Sequence, residues 1–473
     1  MTAPGGRRGV VVIGGGVAGL VVAYRLASRG VPVTVLEAAG RLGGAVTWHD
    51  VAGIRLDAGA DSFATRAPAV ADLARELGLE VTAPGAAGAW VHLPHGSFPL
   101  PRAGMLGVPA DPWARDVRRV IGAVGAARAG LDRVLPAGVG VPIGPTTLGQ
   151  VVRARMGRRV LDRLVGPVAG GVHSTDPDAL DLDTVLPGVR TALAAEGSLG
   201  AAVARLRGTA TAGAPVAGLR GGMHTLTSAL AAAVTASGGE IRTGARVAAL
   251  RRGDGGDGGW EVQLDDGYLS ASAIVLATAP GHLLDDDPDL APLIRAAVPA
   301  PQDPVVLATV VLRSPALDGS PRGTGVLVAT SARDVSAKAL THVTAKWPLL
   351  AEGLDPGVHV LRLSYGGAGR SIPAEGPDLA TVLSDAAAVL GLRIEPDQVV
   401  GHDRVTWTHG LPRSGAGHLE RVAALRAGLA RAGSAWGVGA WLAGTGLTAV
   451  VGDAVRAGDA ISAYFDAAGS PDT

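Results

Sequence analysis

The chain contains no cysteine among its 473 residues. That excludes disulfides, thiol nucleophiles and cysteine-based metal sites, and it fits a cytoplasmic protein. Lysine is nearly as scarce. Only Lys338 and Lys346 occur among 42 basic residues; with so much Ala and Gly, this reads as coding bias rather than function. Aromatic residues make up 3% of the chain, so each Trp and Tyr carries information. No apolar run approaches the roughly 20 residues a transmembrane helix needs. Formal net charge is +0, which gives no bulk-charge case for nucleic-acid binding. A chain of this length can bury a large core and is expected to form about two domains.

What the sequence has in abundance is glycine, 71 residues of it, so a glycine motif counts only with its context. Val10-Val11-Val12-Ile13 reads as a short buried strand. Gly14-Gly15-Gly16-Val17-Ala18-Gly19 follows with G-x-G-x-x-G spacing. Leu20 to Arg29 reads as a helix, and Val31 to Leu36 as a second strand ending in Glu37. The first glycine permits a tight turn, the second lets backbone approach a pyrophosphate, and the third allows close helix–strand packing. The helix N-terminus offers N–H groups and positive potential to phosphates. Glu37 stands about 20 residues on, where a carboxylate accepts hydrogen bonds from an adenosine ribose. Arg7-Arg8 before an apolar run could mimic a signal peptide, but three glycines and Arg25 interrupt that run.

The next segment, Glu37-Ala38-Ala39-Gly40-Arg41-Leu42-Gly43-Gly44-Ala45, separates FAD from NAD. A simple NAD dehydrogenase has no need of a second glycine pair there. In a flavoprotein that backbone can approach the FAD diphosphate while Arg41 supplies charge. The E-x-x-x-R-x-G-G pattern resembles the flavoproteins that include amine oxidases, phytoene desaturases and protoporphyrinogen oxidases.

Further along, Pro68 to Leu79 reads as an amphipathic helix, its apolar positions including Val70, Leu73, Leu77 and Leu79, near helical period. Val91 to Phe98 reads as a hairpin, and residues 112–210 as a helical insertion. Glu240 to Arg252 reads as a strand pair. Trp260 to Leu264 and Ala273 to Ala277 are expected to complete a meander with it, and Gly253 to Gly259 is a hairpin tip. Strands are expected at 304–313, 324–330, 341–346, 358–364 and 438–443, with helices at 377–391 and 447–466. His92 and His95 stand three residues apart without a further ligand, so no metal site is expected. Asp285-Asp286-Asp287 reads as a solvated loop. This order implies an α/β protein whose Rossmann-like nucleotide domain is interrupted. Its parts are 5–88, 216–285 and 415–473. The helical insertion 89–215 and the segment 286–414, a mixed sheet with helices, form the substrate domain.

Stretches along nearly the whole chain resemble the protoporphyrinogen/coproporphyrinogen oxidase family, closest to its Gram-positive, actinobacterial type. Gly59-Ala60-Asp61-Ser62-Phe63 with Arg66 and Pro68 resembles G-P-D-S-F-x-x-R-x-P. Pro99-Leu100-Pro101 and Gly107-Val108-Pro109 resemble P-L-P…G-V-P. Arg163 to Pro167, then Gly170-Gly171-Val172 and Asp176-Pro177, resemble R-L-V-x-P…G-G-V…D-P. Gly221-Gly222-Met223-His224-Thr225-Leu226 resembles G-G-M-x-T-L, and Lys346-Trp347-Pro348 also recurs. The chain departs from the pattern in places. Ala60 replaces proline, and His173-Ser174-Thr175 replaces Tyr-Ala-Gly. The Y-D-G-V-G-I-P segment reads Leu442-Ala443-Gly444-Thr445-Gly446-Leu447-Thr448, and Asp453-Ala454 replaces Ser-Gly.

The resemblance implies an FAD-binding fold of the amine oxidase/porphyrinogen oxidase type and FAD-dependent oxidation of a porphyrinogen in heme biosynthesis. For this type the substrate is coproporphyrinogen III. Six electrons leave in three two-electron steps, with hydride passing to the flavin and dioxygen giving hydrogen peroxide. The cofactor carries the hard chemistry, so no catalytic residue is assigned. Cofactor contacts are expected from Gly14, Gly15, Gly16, Val17, Ala18 and Gly19, from Glu37, Ala38, Arg41, Gly43, Gly44 and Ala45, and from Gly59, Ala60, Asp61 and Ser62. Val247 is expected at the adenine, and Thr445, Gly446 and Leu447 at the last helix. Trp407 either packs near the flavin or belongs to the core. Arg66 either meets a substrate propionate or is solvated. Protoporphyrinogen IX as substrate, a flavin amine oxidase using Lys346, and a non-catalytic FAD- or tetrapyrrole-binding protein are the competing readings. The oligomeric state stays open, as does peripheral membrane contact through an apolar patch at 100–140.

Overall fold

A computed structural model describes residues 9–208, 216–253, 259–300, 303–367, 370, 372, 376–408, 415 and 417–469. Strand β1 (Val10–Ile13) is buried at all four residues. Val10 and Val12 enter one core while Val11 and Ile13 enter another. A strand covered on both faces needs an unbroken apolar run rather than alternation. Helix α1 (Val17–Ala27) covers the first face, and Leu20, Val21, Val22 and Leu26 are fully buried. Each such side chain contributes about 1.5–3 kcal/mol by leaving water.

Strand β2 (Val33–Glu37) pairs parallel with β1. Strands β3 (Glu240–Thr243), β4 (Ala273–Leu276) and β5 (Ala435–Gly437) complete a five-stranded sheet in the order β3-β2-β1-β4-β5, parallel throughout. Helix α2 (Leu447–Gly469) lies along α1. Arg25 on α1 pairs with Asp459 on α2 at 3.0 Å.

A second sheet has seven strands, in the order 399–407, 305–313, 358–365, 339–342, 325–328, 90–93, 96–99. All pairs are antiparallel except Gly325–Val328 with Trp90–Leu93. The hairpin at 90–99 thus belongs to this sheet, and helices between Arg115 and Gly208 pack beside it.

Five expectations are corrected. Glu240–Arg252 is not a strand pair: β3 joins β2, while Val247–Arg252 pairs with Trp260–Leu264. Gly244, at φ +68°, turns the chain between them. The meander's third strand is Gly267–Ala271, and β4 instead enters the centre of the parallel sheet beside β1. The strand expected at 341–346 ends at His342, and Val343–Lys346 is a helical turn. The strand expected at 438–443 lies at 435–437; Gly439, at φ +111°, redirects the chain into a short helix, Ala440–Ala443. Strand Val399–Trp407 was not anticipated. The acidic run is not wholly solvated, because Asp287 Oδ1 accepts from the backbone N–H of Asp289 and Leu290.

Candidate cofactor and substrate site

Three glycine-bearing turns meet at the carboxyl ends of β1 and β2. After β1 the chain turns through Gly14 at φ +110°, a conformation open to glycine. A Cβ at Gly19 would lie 2.0 Å from the Gly14 carbonyl oxygen, so close helix–strand packing demands the third glycine. Gly16 serves differently: a Cβ there meets no atom within 4 Å, so its value is open room beside the backbone. No side chain caps α1 and no acid lies in its first turn. Its leading N–H groups are therefore left without a side-chain acceptor. Val17 and Ala18, expected as contacts, bury their side chains in the core, so only their backbone can serve.

The second turn docks on the first. Gly43 N–H donates to the Gly15 carbonyl at 2.9 Å, and a Cβ at Gly44 would stand 3.4 Å from Gly16 Cα. Gly44 and Ala45 are exposed. The third turn follows: Ala60 N–H donates to Ala45 O at 3.0 Å, and a Cβ at Gly59 would strike that oxygen at 2.1 Å. Glu37 accepts from Gly15 N–H at 2.7 Å and from Ala39 N–H at 2.8 Å, one bond to each oxygen. Each oxygen keeps lone-pair capacity for a hydroxyl. Ala38 beside it is exposed. Ala245 N–H donates to Glu37 O, which brings Val247 to the same strand end. Arg41 Nη1 donates to the Trp48 carbonyl at 3.1 Å, so its head is tied to the chain leaving the turn.

Asp61 is the electrostatic centre. Lys346 Nζ lies 3.0 Å from both carboxylate oxygens, Arg362 Nη2 lies 2.9 Å from one, and Ser62 Oγ donates at 2.9 Å. Burial pushes the Asp61 carboxyl up, but the Lys346 and Arg362 charges outweigh it and hold the group well below the usual range. Arg362 also donates to the carbonyls of Asp57 and Gly59, fixing the turn that carries Asp61. Trp407 Nε1 donates to Ala58 O at 3.0 Å, so this indole is bound to the same turn rather than to a remote core. Behind it, Asp57 accepts from the Met223 and His224 N–H groups and meets His224 Nδ1 at 2.9 Å. The Gly221-Gly222-Met223 motif therefore seats a helix on Asp57, with Gly222 at φ +102°.

The third wall is the start of α2. Gly446 is exposed, and a Cβ there meets nothing within 4 Å. Leu447 packs against the α1 core, and Thr448 Oγ1 donates to Ala64 O at 2.6 Å. Arg66 lies exposed two residues beyond that carbonyl. Thr445 Oγ1 lies 3.4 Å from His173 Nδ1. Lys338, 3% exposed, donates from Nζ to Ser174 Oγ at 2.7 Å. The sequence reading named His173 only as a departure from the family pattern and gave Arg362 and Lys338 no part in the site. Both lysines of this arginine-dominated chain are held by partners, Lys346 by Asp61 and the buried Lys338 by Ser174. Of the two histidines three residues apart, His92 is tied to Ser97 and Asp334.

The family model for flavin containing amine oxidoreductases matches residues 17–463. The coproporphyrinogen III oxidase of Mycobacterium leprae is 30% identical over 466 residues, covering 96% of this chain and 98% of that protein. A solved structure from Exiguobacterium sp. 255-15, classed with the protoporphyrinogen oxidases, superposes with a TM-score of 0.81 at 24% identity, covering 97% and 99% of the two chains. The cyclohexylamine oxidase of Brevibacterium oxydans gives a TM-score of 0.65 at 17% identity, covering 98% of this chain and all (100%) of that one, a likeness of fold alone.

Proposed function

The chain belongs to the flavin-containing amine oxidoreductases and, within them, to the protoporphyrinogen/coproporphyrinogen oxidases, and we propose that it oxidises coproporphyrinogen III to coproporphyrin III with FAD and dioxygen. The observation that carries this is the near-full-length likeness to a coproporphyrinogen III oxidase, together with a cradle whose residues fit FAD. The fit rests on the open volume at Gly16, the uncapped start of α1 and the free acceptor capacity of Glu37.

FAD, when bound, would supply the two-electron redox chemistry between porphyrinogen and dioxygen. The chain's own residues bind and orient. The first N–H groups of α1 would hold the diphosphate, and Glu37 would accept the ribose hydroxyls. The Asp61–Lys346–Arg362 cluster fixes the 59–62 turn in place. The N-terminus of α2 favours negative charge nearby. Arg66 pairs with a substrate propionate, its planar fork matching a carboxylate. We place the protein in the cytoplasm, with exposed Trp113, Val124, Leu131 and Val134 as a surface for peripheral contact with a bilayer.

Lys346 favours a second reading, an amine oxidase with lysine at the flavin. Its ammonium is committed to Asp61, which counts against that reading. The test is turnover under air by the FAD-loaded protein, following porphyrin fluorescence and peroxide with coproporphyrinogen III, protoporphyrinogen IX and a diamine. Faster oxidation of coproporphyrinogen III is expected. Oxidation of the diamine alone would establish the second reading.

A further inference from the structure

A cavity of about 500 Å³ reaches from the surface to Asp61 and Arg362. Its walls come from the hairpin 48–57, the segment 219–222 and the turns 343–354 that follow strand Ala339–His342. Leu56, Leu219, Val343, Leu350, Leu354 and Val360 make those walls mainly apolar. None of the glycines Gly14, Gly16, Gly43 and Gly44 lines it, so it is distinct from the cradle. The two spaces share one turn. Asp57 and Asp61 line the cavity, while Gly59 and Ala60 between them dock on Ala45 of the cradle.

Size alone would admit a tetrapyrrole, since ligand pockets run from about 300 to 1,000 Å³. Charge decides against one. Coproporphyrinogen III carries four carboxylates, and the charged groups that line this cavity are already engaged. Asp57 is held by His224, and Asp61 by Lys346 and Arg362. Arg362 is occupied by Asp61 and two carbonyls. At the mouth Arg220 pairs with Glu80, Arg55 lies over the Trp48 ring, and the exposed Glu352 adds a negative charge. A space with apolar walls and neutralised charges suits a neutral, apolar guest. The proposed reaction has such a participant, dioxygen. At the inner end of the cavity two cations hold one carboxylate, so the Asp61–Lys346–Arg362 cluster carries an excess of positive charge. That excess favours the negative charge that builds on dioxygen as it is reduced.

We propose that this cavity is the dioxygen site of the protein, from which the oxidant reaches the reduced cofactor across the Asp57–Asp61 turn. The inference rests on the FAD-oxidase reading above and names the entry of its second substrate. The redox balance is that of the proposed reaction. Dioxygen takes up two electrons from the reduced flavin, with two protons from flavin and solvent, and leaves as hydrogen peroxide.

The test uses the FAD-loaded protein. Crystals held under xenon, an apolar gas, report whether the cavity takes such a guest. In solution the flavin is reduced by light without oxygen, then mixed with dioxygen at several concentrations while its reoxidation is followed. Anaerobic reduction by coproporphyrinogen III is followed separately. Leu354 and Leu350 are half-buried in the cavity wall. Leu354→Trp fills the cavity and Leu354→Ala widens it; Leu350→Trp is the second filling variant should Leu354→Trp fail to fold. Xenon should occupy the wild-type cavity and be displaced in Leu354→Trp. That variant should lose several-fold in the second-order rate of reoxidation, with FAD content and the rate of reduction by coproporphyrinogen III unchanged. Leu354→Ala should reoxidise at least as fast as wild type. A cavity without xenon, or a filled variant that reoxidises at the wild-type rate, would overturn the assignment. So would a loss confined to reduction by coproporphyrinogen III, which would give the cavity to the porphyrinogen. Light reduction needs no porphyrinogen, so wild type that coproporphyrinogen III leaves oxidised would remove the proposed substrate, while the dioxygen assignment stood or fell on reoxidation alone.

Discussion

Lys346 Nζ stands 3.0 Å from each carboxylate oxygen of Asp61, 285 residues away in sequence. The pair ties the turn after Gly59 to the end of the helical turn that follows strand Ala339–His342 of the second sheet. Asp61→Asn would leave the Lys346 and Arg362 charges buried without their carboxylate. Removing one partner of a buried pair costs about 3–5 kcal/mol, so a lower Tm and loss of FAD absorbance are expected. The pH sign follows from the depressed carboxyl. Its contribution is present above the unfolded value, about 3.9, and is lost as pH falls from there toward the folded value. Thermal melts should therefore show a weaker acid dependence below about pH 4 in the variant than in wild type.

Two glycines of one motif should fail in opposite ways. Gly19→Ala drives a methyl into the Gly14 carbonyl and should destabilise the fold by about 1–3 kcal/mol or more. Gly16→Ala meets open space at an ordinary φ of −74°. Its apo-protein melt should match wild type while FAD affinity falls. Parallel melting and FAD titration of both variants check this; a Gly16→Ala chain that binds FAD normally would show that the room there is not used by the cofactor.

Lys338 is buried with one hydroxyl partner, and burial pushes its ammonium down to about 8. Between about pH 8 and about pH 10.4 the unfolded chain binds more protons than the folded one, so stability rises with pH there. Lys338→Met should be more stable than wild type below about pH 8 by up to about 3 kcal/mol, with the difference fading above about pH 10. Denaturant melts of both chains across that range measure it.

On the proposed reading, Arg66→Ala removes from an exposed position the charge offered to a substrate propionate. A charge-assisted hydrogen bond contributes about 1.5–3 kcal/mol, so KM for coproporphyrinogen III should rise about 10- to 100-fold with kcat little changed. An equal fall in kcat at constant KM would place Arg66 in the chemistry instead.

Local geometry was legible in the sequence; distant pairing was not. The turn at Gly14, the packing of Gly19 and the placing of Glu37 depend on neighbours within one βαβ unit, and spacing revealed them. The assignment of β3 to β2, some 200 residues earlier, depends on which edge is vacant, which no local pattern encodes. The apolar run Ala273–Leu276 was the sign of a strand buried on both faces, yet its nearness to the meander made it look like a fourth member. Val343 and Thr344 favour strand by propensity, but the chain reaches Pro348, which has no N–H for a ladder, and turns into helix after His342. That turn carries Lys346 to Asp61, so missing it hid the cluster. Trp407 was ambiguous because only the structure shows its bond to Ala58.

The most direct measurement is an anaerobic titration of the FAD-loaded protein with coproporphyrinogen III, following the flavin visible band and porphyrin absorbance together. The account predicts that the band is lost as porphyrin appears, with one substrate molecule reducing three flavins. A band that persists in the presence of excess porphyrinogen, or that is lost only on adding an amine, would contradict it.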